Sequence, residues 1–295
     1  MCKQIIKSEF IQASIAPYGA ELKSLVDLET GIDYLWQGSE NSWNRSSPIL
    51  FPIVGALKED KYRIKNKYYP MSQHGFARDM QFELISKNKD QVQYRLESTE
   101  ETLKIYPFRF RFNVTYKVYG PKVIVHYEVR NIDKKEMLFS LGSHPGFNIP
   151  FEKDDLSENY DDYYLEFQNF EKVGAYSVVD RLVNFNAPSD RRIFKGRTIP
   201  LTSELFNRGA LIFKDPVSER ISIKSENHDH FVTLDYGLIP YLGIWSLPGS
   251  PFVCLEPWYG VADSLESNHD FYEKEGLMTL NPSSNFKTSY TITIG

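Results

Sequence analysis

The carboxylate of Glu256 and the imidazole of His144 are the side chains of this sequence best suited by type and setting to acid–base chemistry. Glu256 follows a predicted apolar strand, residues 252–255, which we expect to end in a turn at Pro257. Trp258 comes next, and a carboxylate beside a flat ring suits a sugar, whose C–H face stacks while its hydroxyls hydrogen-bond. Taken alone, a solvated turn glutamate and a core tryptophan are equally good interpretations.

His144 is presented in a similar way, after an apolar strand and before the turn residues Pro145 and Gly146. Loops mounted on a rigid sheet are where catalytic groups tend to lie. This setting therefore favours a functional interpretation of the imidazole.

Two further stretches place polar side chains near turns. Arg45 precedes an apolar segment punctuated by prolines, residues 47–55, and His74 and Arg78 lie on either side of Gly75. For Arg45 the alternative is a surface arginine whose stem covers apolar residues. For His74 the alternative is a structural histidine.

The other candidates are weaker. His228 and His230 flank Asp229 in a polar turn, but no further ligand set for a metal accompanies them. Cys254 lies between two apolar residues and is interpreted as a buried small side chain rather than a nucleophile. Neither of the common glycine-rich phosphate loops occurs.

The composition excludes several classes of function. The 295 residues carry a formal net charge of −5, which argues against a nucleic-acid partner. No run reaches the roughly 18 apolar residues of a membrane span, and two cysteines are too few for a disulfide framework. The N-terminal residues become charged again before a signal peptide could form, so we expect a cytoplasmic protein.

Strand patterns account for most of the chain, in keeping with its 15% aromatic residues. In residues 108–118 apolar side chains occupy every even position, and after Gly120 a second alternating strand covers residues 123–129. The pair predicts an antiparallel hairpin with one buried face and one wetter face, the latter carrying His126. Further strands are predicted at residues 10–15, 22–28, 62–69 with a tip at 65–67, 82–85 and 92–96.

Helical signals are few. Residues 201–206 could begin a short helix, and residues 267–276 could form a helical turn. The acidic, tyrosine-rich stretch 152–164 is expected to be an exposed loop. Because no long amphipathic segment, repeat or linker is present, we predict a single all-β domain over residues 1–295, a large antiparallel β-sandwich.

Four motifs, in this order and spacing, resemble the aldose 1-epimerase (galactose mutarotase) family, most closely its LacX-like branch. They are Arg45 before Pro-Ile-Leu-Phe-Pro at 48–52, His-Gly-Phe-Ala-Arg at 74–78, Ser-His-Pro-Gly-Phe-Asn at 143–148 and Leu-Glu-Pro-Trp at 255–258. The resemblance covers nearly the whole chain. It implies a β-supersandwich, in agreement with the strand pattern, and an isomerase that interconverts the α and β anomers of a free aldose without metal or cofactor.

The resemblance also implies roles for individual residues. Glu256 matches the general base for the anomeric hydroxyl, and His144 matches the general acid for the ring oxygen. A carboxylate with a pKa of about 4.3 and an imidazole with a pKa near 6.5 suit these roles around neutral pH. The side chains expected to bind the sugar are Arg45, His74, Arg78, Trp245 and Trp258.

Two aspects of the substrate stay open. Several family members place a sugar-binding aspartate in the strand that aligns with residues 205–213, where Gly209 stands in this sequence. Arg78 is shared with the branch that contains hexose-6-phosphate mutarotases, and together with Arg45 it could bind a phosphate through charge-assisted hydrogen bonds. A structural ion pair of Arg78 with Asp79 or another carboxylate is the alternative.

Two other classes of function are weighed beside the isomerase. A non-catalytic carbohydrate-binding domain would use aromatic platforms, namely Trp36, Trp245 and Trp258. A glycosidase or lyase needs a second carboxylate facing Glu256, for which the sequence offers Asp263 and Asp235. The expected partner is a small-molecule sugar in every case, and the oligomeric state is open, with a homodimer among the alternatives.

Overall fold

The structure, a computed structural model, describes residues 2–151 and 158–295. Its strands, in chain order, are β1 (Gln4–Lys7), β2 (Ile11–Ile15), β3 (Leu22–Asp27), β4 (Ile49–Leu50), β5 (Lys61–Ile64), β6 (Lys67–Pro70), β7 (Glu83–Lys87), β8 (Gln91–Glu97), β9 (Phe110–Tyr119), β10 (Lys122–Asn131), β11 (Met137–Phe139), β12 (Leu141–Ser143), β13 (Gly146–Asn148), β14 (Tyr163–Phe167), β15 (Val178–Val179), β16 (Leu182–Val183), β17 (Thr198–Pro200), β18 (Leu211–Lys214), β19 (Arg220–Ser225), β20 (Phe231–Asp235), β21 (Tyr241–Trp245), β22 (Phe252–Tyr259), β23 (Met278–Leu280) and β24 (Asn285–Ile294). Helical structure consists of α1 (Glu100–Ile105) and short 3₁₀ turns at Lys58–Asp60, Ala77–Asp79, Tyr160–Asp162 and Phe271–Glu273. The predicted all-β class is confirmed.

Two large antiparallel sheets form the sandwich. One has nine strands in the order β17-β14-β19-β20-β24-β10-β9-β8-β7. The other has six strands, β18-β21-β22-β12-β4 with β13 also paired to β22. A three-stranded sheet, β1-β2-β3, contacts the nine-stranded sheet at β8 and β9.

The core lies between the two large sheets because alternate side chains of each strand point inward. In β9, Phe112 is fully buried and its ring centroid lies 5.0 Å from that of Phe51, which follows β4. The Tyr127 hydroxyl of β10 lies 2.7 Å from the Ser143 hydroxyl of β12, a hydrogen bond that also joins the sheets. These contacts hold the six-stranded sheet firmly from its inner side.

The outer face of the six-stranded sheet carries the candidate site residues of β22. Along β22, Val253 and Leu255 point into the core between the sheets. Cys254, Glu256 and Trp258 alternate with them and therefore point to the opposite face. A carboxylate is thus placed on the outer face by a strand whose inner side chains are fixed.

Most of the predicted strands are found within two residues of their predicted bounds, and the hairpin of β9 and β10 has the expected wetter face, on which His126 is exposed. The end of β22 was predicted wrongly. The strand continues through Pro257 to Tyr259, so Glu256 lies within the strand rather than at its end. Backbone pairing with β21 and β12 outweighs the turn signal of the proline.

The helical predictions were partly wrong. Residues 201–206 form successive turns, with Leu205 N–H donating to Thr202 O three residues back, instead of a helix. The 3₁₀ turn Phe271–Glu273 lies within the predicted helical turn at 267–276. Helix α1, which begins with a capping box between Thr99 and Thr102, was not predicted.

The acidic stretch 152–164 is only partly described, because residues 152–157 lie outside the described residues. Its described end is not the exposed loop that was predicted, since Glu158 and Tyr163 are buried. No helical segment in the two described ranges has both the length and the apolar character needed to cross a bilayer.

Candidate active site

Glu256 stands at the centre of the outer face, between two apolar clusters. On one side lies the Trp258 cluster, formed by Leu50, Val54, Val183, Ile212, Tyr241, Trp258, Val261 and Ala262. On the other side lies the Cys254 cluster, in which Trp36, Phe252 and Cys254 are buried and Trp43 and Trp245 pack against them. The Glu256 residue is 1% exposed. This position is dry, and no arginine or lysine forms an ion pair with the carboxylate among the described residues.

Two glycines make room for this arrangement. Gly243 of β21 is opposite Glu256, and a Cβ there would lie 2.5 Å from the Trp258 ring. Gly142 of β12 is opposite Trp258, and a Cβ there would lie 2.7 Å from the same ring. The indole therefore lies flat on the sheet beside Glu256, in space that only glycine leaves free.

His144 is placed against Glu256 by the turn between β12 and β13. Its backbone N–H donates to Pro48 O at 3.1 Å, which fixes the turn to the segment before β4. The His144 Nε2 atom lies 3.1 Å from Glu256 Oε2. The ring of Trp43 covers the imidazole at a centroid distance of 4.8 Å, and Trp245 meets it edge-on at 5.6 Å.

Burial controls the charge of this pair. Burial, with a smaller contribution from the positive charges of Arg78 and Arg45, lowers the pKa of His144 to about 3. It raises the pKa of Glu256 well above its usual value, while the nearby indole of Trp258 opposes the shift. The pair therefore holds one proton around neutral pH, and the dry surroundings favour a neutral carboxylic acid facing a neutral imidazole.

His74 presents a second imidazole 5.6 Å from that of His144, measured between ring centroids. His74 and Gly75 both adopt left-handed backbone conformations, with φ of 67° and 72°. Gly75 is required there, because a Cβ would lie 2.3 Å from Phe51 O. Gly55 N–H donates to His74 Nδ1 at 3.1 Å, so Nε2 carries the proton of the neutral ring. Burial lowers the pKa of His74 well below its usual value, which leaves a neutral hydrogen-bond donor.

Arg45 and Arg78 meet at the carboxylate of Asp79. Arg45 Nη2 donates to Asp79 Oδ1 at 2.7 Å, and Arg78 Nε lies 3.6 Å from Asp79 Oδ2. Arg78 also donates to the backbone carbonyl of Gln73 at 2.8 Å. The two guanidinium groups share an anion that the protein itself supplies, which is the ion-pair alternative weighed from the sequence.

Two residues that shape the site were not predicted. Trp43 is half-buried, and its ring contacts both the His144 imidazole at 4.8 Å and the Trp245 ring at 5.7 Å, measured between centroids. Glu21 is buried, and its Oε1 accepts hydrogen bonds from the backbone N–H groups of Ser46 at 2.6 Å and Ser47 at 3.0 Å. Both act across long sequence separations, for which the sequence gives no local signal.

Glu21 thereby fixes the segment from Arg45 to Pro48, and this segment supports the rest of the site. Ser46 O accepts from Gly146 N–H at 2.8 Å, and Pro48 O accepts from His144 N–H. The side chain of Arg45 and the backbone of His144 are thus anchored to one clamped stretch of chain.

The tryptophans predicted to bind a sugar differ in solvent exposure. Trp245 is partly exposed beside His144, so an aromatic face at the rim is available there. Trp258 is 4% exposed within the Trp258 cluster. Trp36 is buried against Phe252 at a centroid distance of 5.0 Å. Stacking of a sugar on Trp258 stays a prediction.

Gly209 lies in the turn before β18 and not in register with Glu256. The β18 residue aligned with Glu256 through Gly243 is Ile212, whose side chain belongs to the Trp258 cluster. Within the described strand β18, no carboxylate faces Glu256.

The remaining candidates have structural partners. Asp263 accepts from Lys58 N–H at 3.0 Å, and Asp235 pairs with Arg220 at 2.6 Å. His228 Nε2 lies 3.1 Å from Glu158 Oε2, and its Nδ1 accepts from His230 N–H. Cys254 is fully buried, and burial raises the pKa of its thiol, which agrees with its interpretation as a buried small side chain rather than a nucleophile.

Comparison with known proteins agrees with this fold and motif order. A family model for aldose 1-epimerase matches residues 2–275. The chain is 30% identical to the chromosomal protein LacX of Lactococcus lactis subsp. lactis, over 98% of each chain. Among solved structures, a galactose mutarotase-like protein from Lactobacillus casei is 35% identical with a TM-score of 0.92, over 100% of each chain. A galactose mutarotase related enzyme from Lactobacillus acidophilus is 32% identical with a TM-score of 0.91, over 100% of this chain and 97% of that one. This chain belongs to the aldose 1-epimerase family.

Proposed function

We propose that this protein is a mutarotase, which interconverts the α and β anomers of a free aldohexose by general acid–base catalysis. The observation that carries the proposal is the contact of 3.1 Å between His144 Nε2 and Glu256 Oε2 in a buried site. An acid and a base in direct contact can reach two oxygens that are bonded to one carbon. The anomeric hydroxyl and the ring oxygen of an aldose are two such oxygens.

The proposed reaction begins when a sugar separates the two side chains and the one proton of the pair passes from Glu256 to His144, which leaves a carboxylate and an imidazolium. Glu256 takes the proton of the anomeric hydroxyl, and His144 gives a proton to the ring oxygen. The bond between C1 and the ring oxygen breaks, and C1 becomes an aldehyde. Rotation about the C1–C2 bond followed by closure on the other face gives the other anomer, with Glu256 now the acid and His144 the base.

The shifted pKa values fit this exchange of roles. Ring opening leaves a neutral carboxylic acid and a neutral imidazole, which are the forms that burial favours. Ring closure needs the same two groups in those forms. The number of protons on the pair is unchanged over a full cycle, so no exchange with solvent is required.

Neighbouring groups are suited to hold the sugar. His74 Nε2, which lies 3.3 Å from the side-chain amide nitrogen of Gln73, can donate its proton to an oxygen that becomes more negative as the ring opens. Trp245, which is partly exposed and meets His144 edge-on, offers a ring on which a C–H face can stack. Arg45, whose side chain is 28% exposed, lies close enough for its charge to act on His144.

A free sugar is favoured over a hexose 6-phosphate by the position of Asp79. Because Asp79 already occupies Arg45 at 2.7 Å and lies 3.6 Å from Arg78, a phosphate would have to compete with a resident carboxylate. A binding domain without catalysis is disfavoured for another reason. Binding alone does not require a buried acid in contact with a buried base, an arrangement that costs folding free energy.

The proposal is tested by polarimetry of freshly dissolved α-galactose, α-glucose and α-glucose 6-phosphate. We expect the protein to accelerate the decay of optical rotation for a free sugar, with the 6-phosphate no better a substrate. Tight sugar binding without any acceleration would instead support the binding domain. Acceleration for the 6-phosphate alone would reverse the assignment of the substrate.

A further inference from the structure

We propose that His144, Cys254 and Glu256 form a binding site for a thiophilic divalent cation such as Zn²⁺, and that its occupation blocks the sugar site. The three side chains are buried, and their candidate ligand atoms all lie within 4.8 Å of one another. They offer one imidazole nitrogen, one sulfur and one carboxylate oxygen. This is a three-ligand set of the kind that binds zinc while leaving a fourth position for water.

The fold brings the three ligands together from two directions. Cys254 and Glu256 are two residues apart on β22 and so share its outer face. Gly146 of β13 is paired with Cys254, and the turn before Gly146 carries His144 over the same face. The distance of 3.1 Å between His144 Nε2 and Glu256 Oε2 is close to the separation of about 3.3 Å expected for two ligands of one zinc ion.

Unsatisfied polar atoms point to the same place. Glu256 Oε2 is buried and, within the described residues, makes no hydrogen bond of good geometry. The ring nitrogen Nε2 of His144 lies 3.1 Å from this oxygen. The third candidate ligand is the thiol of Cys254, whose surroundings are otherwise apolar. A buried carboxylate without a hydrogen-bond partner is stabilised more strongly by a bound cation than an exposed carboxylate would be.

The charge balance selects the kind of cation. A dication bound to a thiolate, a carboxylate and a neutral imidazole gives a neutral complex, which suits the dry face. Sulfur and imidazole ligands favour Zn²⁺ or Cd²⁺, whereas Mg²⁺ and Ca²⁺ need six or more oxygen ligands. Thus the site discriminates by ligand type rather than by charge alone.

Binding releases protons because the ligands are protonated in the free site. Cys254 loses its thiol proton and Glu256 its carboxyl proton, while one bond each from sulfur, nitrogen and oxygen to the metal forms. No oxidation takes place, and both protons pass to the buffer. Affinity should therefore increase with pH, by about tenfold per pH unit for each proton released.

The test is titration calorimetry of the whole protein with ZnCl₂ at two pH values, with MgCl₂ as the comparison ion. We expect one Zn²⁺ to bind, and we expect Cys254→Ala to weaken binding at least tenfold. Cys2→Ser removes the exposed thiol and is the matched control, which should bind as the wild type does. The proposal is wrong if Cys254→Ala weakens Zn²⁺ binding by less than tenfold. It is also wrong if the wild type binds Zn²⁺ with a Kd weaker than about 100 µM.

Two further measurements identify the ligands without relying on Cys254→Ala. Cd²⁺ added to Cys2→Ser should produce thiolate-to-cadmium absorption in the ultraviolet, which reports Cys254 without mutating it; its absence counts against the site. If His228→Ala removes the binding, the ion belongs to the group around His228 and Glu158, and the proposal is wrong.

Inhibition of the isomerase by Zn²⁺ rests on the proposed function, whereas the calorimetry does not. We expect Zn²⁺ to compete with the sugar and to slow the acceleration of anomer exchange. Metal binding in a protein that accelerates no sugar would leave the cation site intact and remove only the proposed function. Zn²⁺ binding that leaves a measured activity unaffected would refute the blocking of the sugar site.

Discussion

Trp43 provides a direct test of how burial sets the chemistry of the site. Its ring packs against the buried imidazole of His144 at a centroid distance of 4.8 Å. Burial lowers the pKa of His144 from 6.5 to about 3, a cost of about 5 kcal/mol for charging the ring. Trp43→Ala would admit water to one face of the imidazole, so we expect the pKa of His144 to rise by at least about one unit.

The assay is the pH dependence of kcat/KM for anomer exchange, measured by polarimetry between pH 4 and 8 with the spontaneous rate subtracted. The active pair carries one proton, and a second proton on His144 leaves no base, so activity falls as pH drops through the pKa of His144. With a pKa of about 3 the wild type keeps nearly all of its rate at pH 5. A histidine with a pKa of 6.5 would keep about 3% at that pH.

Trp43→Ala should therefore lose activity at a higher pH than the wild type does. Phe170→Ala, which removes an exposed ring, is the control and should leave the profile unchanged. A wild-type profile with its acid limb near pH 6.5 would refute the reasoning. So would an acid limb in Trp43→Ala that coincides with that of the wild type.

Three other substitutions test separate parts of the account. Glu256→Gln should stabilise the protein by an amount that grows above pH 4.5, to at most about 3 kcal/mol at pH 7. The reason is that the carboxyl group ionises in the unfolded chain, whereas burial opposes its ionisation in the folded protein. A difference in thermal stability that does not change with pH would contradict this. Glu21→Gln should cost about 1–3 kcal/mol and lower the rate, because the clamp on Ser46 and Ser47 weakens; unchanged melting and polarimetry would count against the clamp. Asp79→Asn should raise the rate with glucose 6-phosphate relative to glucose, because it frees Arg45 and Arg78; an unchanged ratio would show that these arginines do not meet the substrate.

The strands of this fold could be predicted because their patterns are local. The alternation in β9 and β10 places apolar side chains on one face, and the structure pairs the two strands over their whole length. Helix α1 was missed because it is six residues long and its N-terminal cap uses Thr102 in place of the usual glutamate. Residues 201–206 carry side chains that favour the start of a helix. However, the Leu201 N–H donates a hydrogen bond to Tyr163 O, and the following turns do not continue into a helix.

Only those residues of the candidate site that stand in recognisable sequence motifs could be predicted. Glu256, His144, His74, Arg45 and Arg78 stand in recognisable segments, and the structure brings their side chains into one region of the outer face. The covering ring of Trp43, the clamp from Glu21 and the nearness of Cys254 to His144 depend on pairing between distant strands. A hydrophobic pattern gives the face of each strand but not its neighbours in the sheet, so these contacts could not be derived from it.

The central claim is that Glu256 and His144 act together as acid and base on an aldose. Polarimetry of α-galactose and α-glucose with wild type, Glu256→Gln and His144→Asn tests it most directly, with circular dichroism confirming that each variant is folded. We predict that the wild type accelerates anomer exchange and that each variant loses about two to four orders of magnitude of that acceleration. Folded variants that keep the wild-type rate would contradict the claim.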